Sequence, residues 1–147
     1  MKKRKITLIT IMFLLIACIA FRQSQTEPWR PDQLMEPKDL ATIINSGQEK
    51  PLIISVGPAG MIKGATSVGA VHEKVNLDKL KELLSGEKTE RQIVIYCGCC
   101  PFQVCPNIRP AFKLLNEMKF TNQKLLNLPH NLKADWINYN YPMEPHP

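Results

Sequence analysis

The stretch Gln92-Ile93-Val94-Ile95-Tyr96-Cys97-Gly98-Cys99-Cys100-Pro101-Phe102-Gln103-Val104-Cys105-Pro106-Asn107 decides how this chain folds. From Ile93 to Tyr96 it is apolar and uncharged, which predicts a strand buried on both faces, the kind found inside parallel sheets. The strand runs straight into Cys97, and open α/β sheets bind their ligands just beyond the carboxyl ends of their strands. Four of the five cysteines in the 147-residue chain fall within nine positions here. The next segment, Asn107-Ile108-Arg109-Pro110-Ala111-Phe112-Lys113-Leu114-Leu115, is spaced as a helix. The cysteine loop is therefore expected where unpaired backbone N–H groups at a helix start favour a thiolate.

Working outward, Pro51-Leu52-Ile53-Ile54-Ser55-Val56, closed by Gly57-Pro58, predicts a second buried strand. Before it, Leu40, Ile43 and Ile44 have helical spacing in a segment that starts at Lys38 and stops at Gly47. After it, Asn76 is placed as the N-cap of an amphipathic helix through Leu77, Leu80, Leu83 and Leu84 to Gly86. Beyond the cysteines the pattern predicts a helix over Pro110–Met118, a brief strand over Leu125–Leu128 and a final helical turn or two over Asn131–Trp136. Strands alternate with helices. The expected class is α/β, with a mainly parallel central sheet and helices on both faces.

The amino-terminal region carries a different signal. Lys2-Lys3-Arg4-Lys5 precedes an uncharged apolar body from Ile6 to Ala17, the pattern of a secretory leader, and that body is short for a membrane span. Leu15-Ile16-Ala17-Cys18 resembles the bacterial lipobox, so residues 1–18 are expected to act as a lipoprotein-type signal with Cys18 as the lipidated residue. Cleavage after Ala20 and an uncleaved anchor extending through Phe21 are the alternatives. All three place the domain outside the cytoplasm, in the periplasm or cell envelope. Residues 19–36, with Pro28 and Pro31, are expected to be a polar tether, with Trp29 either docked or exposed. Residues 37–142 form the expected single domain and 143–147 a proline-rich tail. The formal charge of +6 comes from nineteen basic and thirteen acidic residues. Four basic residues lie in the leader, which leaves fifteen against thirteen, so no nucleic-acid partner is expected. A monomer is expected.

Four local patterns carry a family likeness. Gly60-Met61-Ile62-Lys63-Gly64-Ala65 resembles a Gly-His-Ile-x-Gly-Ala segment with methionine in place of histidine. Ile95-Tyr96-Cys97 resembles a strand that delivers a catalytic cysteine, and Ala111-Phe112-Lys113-Leu114-Leu115 with Phe120 resembles the helix behind it. Asp135-Trp136 with Tyr141-Pro142 resembles a closing Trp…Gly-x-Pro. Together, from about Pro37 to Pro142, they resemble the rhodanese-like, or sulfurtransferase, domain family. That resemblance implies a rhodanese-like α/β fold and a cysteine, here Cys97, that takes sulfane sulfur as a persulfide and passes it to a thiol or other nucleophile. No cofactor is expected, and no metal is assigned to the site. The chain departs from the family pattern at Ser55-Val56-Gly57, where Asp-x-Arg is usual. It departs again after Cys97, where the usual Cys-x-x-Gly-x-Arg cradle is replaced by a longer loop with three more cysteines.

Sulfur transfer needs a thiolate at neutral pH, and Cys97 has the right position for the nucleophile. A buried cysteine serving only as a small apolar residue is the plainer alternative. Arg109 is the nearby cation placed to bind an anionic donor such as thiosulfate; a protein thiol is the other expected partner. Cys99, Cys100 and Cys105 are secondary thiols that would resolve the persulfide, form a disulfide, or hold a metal. Cys100 with Cys105 is a less strained disulfide pair than the adjacent Cys99 and Cys100. Two rival functions remain open. A thiol–disulfide module would use Cys97-Gly98-Cys99-Cys100, although Pro101 and Pro106 delay the helix that such a motif normally opens. A metal-binding module would use four thiolates for Zn²⁺, or two or three for Cu(I). His72, His130 and His146 lie far apart in sequence, and nothing in the sequence pairs any of them with Cys97.

Overall fold

A computed structural model describes residues 27–145. Five strands, β1 (Leu34–Met35), β2 (Leu52–Ser55), β3 (Ala65–Ser67), β4 (Ile93–Tyr96) and β5 (Gln123–Leu126), form one sheet in the order β1-β5-β4-β2-β3. Every pairing is parallel. The central strand is β4, with Ile95 beside Ile54 of β2 on one side and Leu125 of β5 on the other. All four of its residues are buried, as its uninterrupted apolar run requires.

Because successive strand residues face opposite ways, β4 feeds two cores. Ile93, Ile95 and Cys97 face one core, with α2 (Lys74–Ser85) and α3 (Ile108–Glu117) contributing Leu80, Leu84, Phe112 and Leu115. Val94 and Tyr96 face the other, with Leu40 and Ile44 of α1 (Pro37–Asn45) and with Leu132 and Trp136 at the ends of α4 (Leu132–Asp135). Full burial of each aliphatic side chain of β4 stabilises the fold by roughly 2 kcal/mol. Cys97 inherits its direction from Ile93 and Ile95, so its sulfur lies on the α3 side of the sheet.

Several expectations shift. Helix α2 begins at Lys74 with Glu73 as its N-cap, three residues before the expected cap, Asn76. Asn76 turns inward beneath Gly69 (φ +84°), and its amide donates to Ala70 O at 3.1 Å and Glu73 Oε2 at 3.1 Å. The strand expected at Leu125–Leu128 starts two residues earlier, because Gln123 is buried and its amide donates to Asn116 Oδ1 at 2.8 Å. The expected polar tether is folded from Glu27 onward: Trp29 packs edge-on to Phe102 and Phe112, and β1 joins the sheet against β5. At the other end, Met143 pairs with Ile62 and Glu144 accepts from Gly64 N. Cys18, the leader and the rest of the expected tether lie outside the described residues, as does His146. No helix among the described residues is long and apolar enough to cross a membrane.

Candidate active site around Cys97

The site is built where three loops converge beyond the carboxyl ends of β2 and β4. Tyr96, facing the other core, fixes the first of them: its hydroxyl accepts from Ile62 N at 3.0 Å and donates to Gly60 O at 3.1 Å. Burial pushes its phenol above the ordinary range, which keeps it the neutral donor this loop needs. The loop brings Gly57 against Cys97 so closely that a Cβ at Gly57 would overlap the cysteine sulfur. Gly98 turns the chain out of the strand at φ +77°, and a Cβ there would meet Leu132 Cβ at 2.9 Å and Ala59 Cβ at 3.0 Å. Leu132 N donates back to Gly98 O at 2.9 Å. Both glycines are required by contact, and Gly98 also by backbone angle.

Cys97 is buried, with 2 % of its surface exposed, and its sulfur is surrounded by donors. Cys99 Sγ lies 3.2 Å from it and Asn107 Nδ2 donates to it at 3.3 Å. The Cys105 sulfur stands beside them, within 4.8 Å of both the Cys97 and the Cys99 sulfurs. The polar influence of these neighbours, Cys105 foremost and Asn107 and Cys99 with it, outweighs burial and holds the Cys97 thiol at about 5, far below the ordinary cysteine value. Its neighbours move the other way. Burial and the bond to Cys97 push Cys99 up to about 12, and the nearness of Cys97 with burial raises Cys105. At neutral pH the site holds one thiolate, Cys97, beside two protonated thiols, of which Cys99 is within hydrogen-bond distance of it.

Sequence reasoning expected helix-start N–H groups to ring this sulfur. Pro101 and Pro106 instead hold the loop in a short 3₁₀ turn over Phe102–Val104, and α3 starts only at Ile108, so the donors are mostly side chains. Asn107, absent from the expected site, is the chief addition. His72 N donates to its Oδ1 at 3.0 Å and His72 Nδ1 lies 2.8 Å from the same oxygen. An oxygen cannot donate to those groups, so the amide must present its NH₂ to Cys97, and Nδ1 carries the proton. His72 thus meets Cys97 through Asn107, a link across 35 residues that sequence spacing could not reveal.

Among the residues expected in the site, Cys97, Cys99 and Cys105 come together, with all sulfurs within 4.8 Å of one another. Cys100 Sγ is 3.3 Å from Cys99 Sγ. None of the four is in a disulfide. Arg109 is not brought to them. Its guanidinium pairs with Glu27 at 2.6 Å and lies over the Trp29 ring at 5.7 Å, so its charge holds the amino-terminal strap to α3. His130 pairs with Asp135 at 2.8 Å, apart from the thiols. A hollow of about 690 Å³ lined by Glu49, Lys50, Glu87, Arg91 and Asn122 lies at the opposite, amino-terminal end of the strands and contains no thiol.

No family model matches the chain, and no curated protein matches it. Solved structures do. The rhodanese-like domain of an Anabaena protein superposes with a TM-score of 0.55 at 20% identity, covering 78% of this chain and 80% of that one. A full-length protein from Lactobacillus plantarum superposes with a TM-score of 0.57 at 15% identity, covering 99% of this chain and 100% of that one. The parallel five-stranded sheet with helices on both faces, ending at its centre in a thiol, is therefore the rhodanese-like fold.

Proposed function

We propose that this chain is a sulfurtransferase-like protein in which Cys97 carries sulfane sulfur as a persulfide and Cys99 passes it outward. The observation that carries the proposal is the pair of contacts on Cys97 Sγ, Asn107 Nδ2 donating at 3.3 Å and the exposed Cys99 Sγ at 3.2 Å, which favours the ionised form of that one sulfur. In the first step the Cys97 thiolate attacks the outer sulfur of a donor such as thiosulfate. The donor's S–S bond breaks, sulfite leaves with the bonding pair, and Cys97 holds the sulfur. In the second step an acceptor thiol attacks that outer sulfur and gives its proton to solvent as the new S–S bond forms, the bond from Cys97 to that sulfur breaks, and Cys97 departs as the thiolate it was. A low-pKa thiolate is the better leaving group in such exchanges.

Cys97 itself offers almost no surface, whereas Cys99 is exposed and in contact with it. This favours Cys99 as the first internal acceptor and a second thiol, on a small molecule or a protein, as the final one. The leader pattern at Lys2–Cys18 supports an extracytoplasmic, lipid-anchored setting for the reaction.

The test is mass mapping after the reduced protein meets thiosulfate. The peptide holding Cys97 gains about 32 mass units, one sulfur atom, and C97S abolishes the gain. In C99S the gain on Cys97 persists while transfer to an added thiol slows. A gain that survives C97S but vanishes with C99S or C105S would move the nucleophile elsewhere.

A further inference from the structure

The same three sulfurs form a cluster whose composition goes beyond sulfur transfer. The Sγ atoms of Cys97, Cys99 and Cys105 all lie within 4.8 Å of one another, and among the described residues no carboxylate or imidazole joins them. Three atoms no more than 4.8 Å apart, two of them 3.2 Å apart, all lie within about 2.8 Å of one point, and metal–thiolate bonds are about 2.3 Å long. Movements of about half an ångström would bring all three sulfurs onto one ion. We infer that Cys97, Cys99 and Cys105 form a three-sulfur site for a soft monovalent cation of the Cu(I) class.

The chemistry of the donors selects the ion. Thiolates alone favour soft metals, and Cu(I) is content with two or three of them. Zinc prefers four ligands in a tetrahedron. The fourth thiol, Cys100, contacts Cys99 at 3.3 Å yet lies outside the group in which all sulfurs are mutually close. Two of the three ligands, Cys97 and Cys105, are buried, and the third, Cys99, is exposed. The ion therefore enters at Cys99 and is then enclosed. Asn107, fixed by His72, donates to Cys97 Sγ from outside the triangle, the position of a group that orients a ligand. Binding forms metal–sulfur bonds, changes no oxidation state, and releases the protons of those thiols that still carry them. An ion bound there also occupies the sulfur that would attack a donor.

The experiment is an anaerobic titration of the reduced full-length chain with Cu(I) against a chromophoric Cu(I) chelator, repeated with Zn²⁺. One equivalent of Cu(I) is expected, with affinity reduced more than about tenfold in C97S, C99S and C105S and little changed in C100S. Because Cys105 is fully buried and its variant risks misfolding, X-ray absorption on the unaltered protein provides a second readout, with three sulfur neighbours expected. Four sulfur neighbours, equal loss in C100S, or no stoichiometric uptake would overturn the site. Equal binding by all single variants would do so too, since it marks adventitious thiol binding. Cu(I) uptake needs no sulfur transfer, so a chain that binds the ion yet gains no sulfur from thiosulfate loses only the transfer chemistry. When both hold, one equivalent of Cu(I) blocks the mass gain on Cys97.

Discussion

Asn107 shows how much one side chain decides at the residue scale. Its carbonyl oxygen is held by two groups of His72, so its amide hydrogens are fixed on the Cys97 sulfur rather than free to rotate away. Replacing it with alanine removes one donor from the thiolate, and the pH at which Cys97 becomes half reactive should rise. Aspartate is the sharper substitution. It keeps an acceptor for His72 but sets a negative charge against the sulfur, so N107D should raise that midpoint by about one pH unit or more, and further than N107A does. Alkylation rates of Cys97, followed by mass spectrometry from pH 4 to 9, would check both. Equal midpoints in all three proteins would mean that Asn107 holds the loop together but does not stabilise the charge. Asn107 escaped the sequence because an asparagine before a helix is ordinarily read as a cap. Its role depends on His72, which reaches it only after the chain has folded.

At the scale of elements, the interior was legible and the edges were not. β4 and β2 are apolar runs buried on both faces, and α1, α2 and α3 repeat leucine and isoleucine at helical spacing, so each carries its signal locally. β1 has two residues and β3 is mostly exposed, so neither has a run to read; each exists because a neighbouring strand offers it an edge. The loop after β2 belongs with them. Gly57 looked like an ordinary turn glycine, yet it is the surface on which the Cys97 sulfur rests. Gly57→Ala should therefore destabilise the fold by about 1 to 3 kcal/mol through overpacking, and should slow alkylation of Cys97 where the protein remains folded. Denaturant melts beside alkylation rates would show it. An unchanged melt and an unchanged rate would mean that the loop has room to yield.

For the whole molecule, the amino-terminal strap ties the cysteine loop to the rest of the chain. Trp29 contacts Phe102 of that loop and Phe112 of α3, Glu27 pairs with Arg109, and Asn116 Nδ2 donates to Pro28 O at 2.7 Å. Trp29→Ala should cost about 3 kcal/mol of stability, read as a lowered denaturant midpoint. R109E, which sets two acids face to face at a half-exposed pair, should cost less. Neither cost would arise from a solvated tether, and the proline-bearing composition of this segment concealed its packing. The proposed anchor is tested by fractionation: C18S should shift the protein from the membrane fraction to the soluble one. All of this architecture serves a single ionised sulfur at the end of the central strand, and its titration tests the account most directly. Folding lowers the Cys97 value to about 5 while Cys99 rises to about 12. The stabilisation of the Cys97 thiolate is complete above the unfolded value of about 8.5 and is lost as pH falls through about 5. Iodoacetamide labelling resolved to Cys97 should reach its plateau by neutral pH and fall by half near pH 5; a midpoint near the value of a free cysteine would contradict the account.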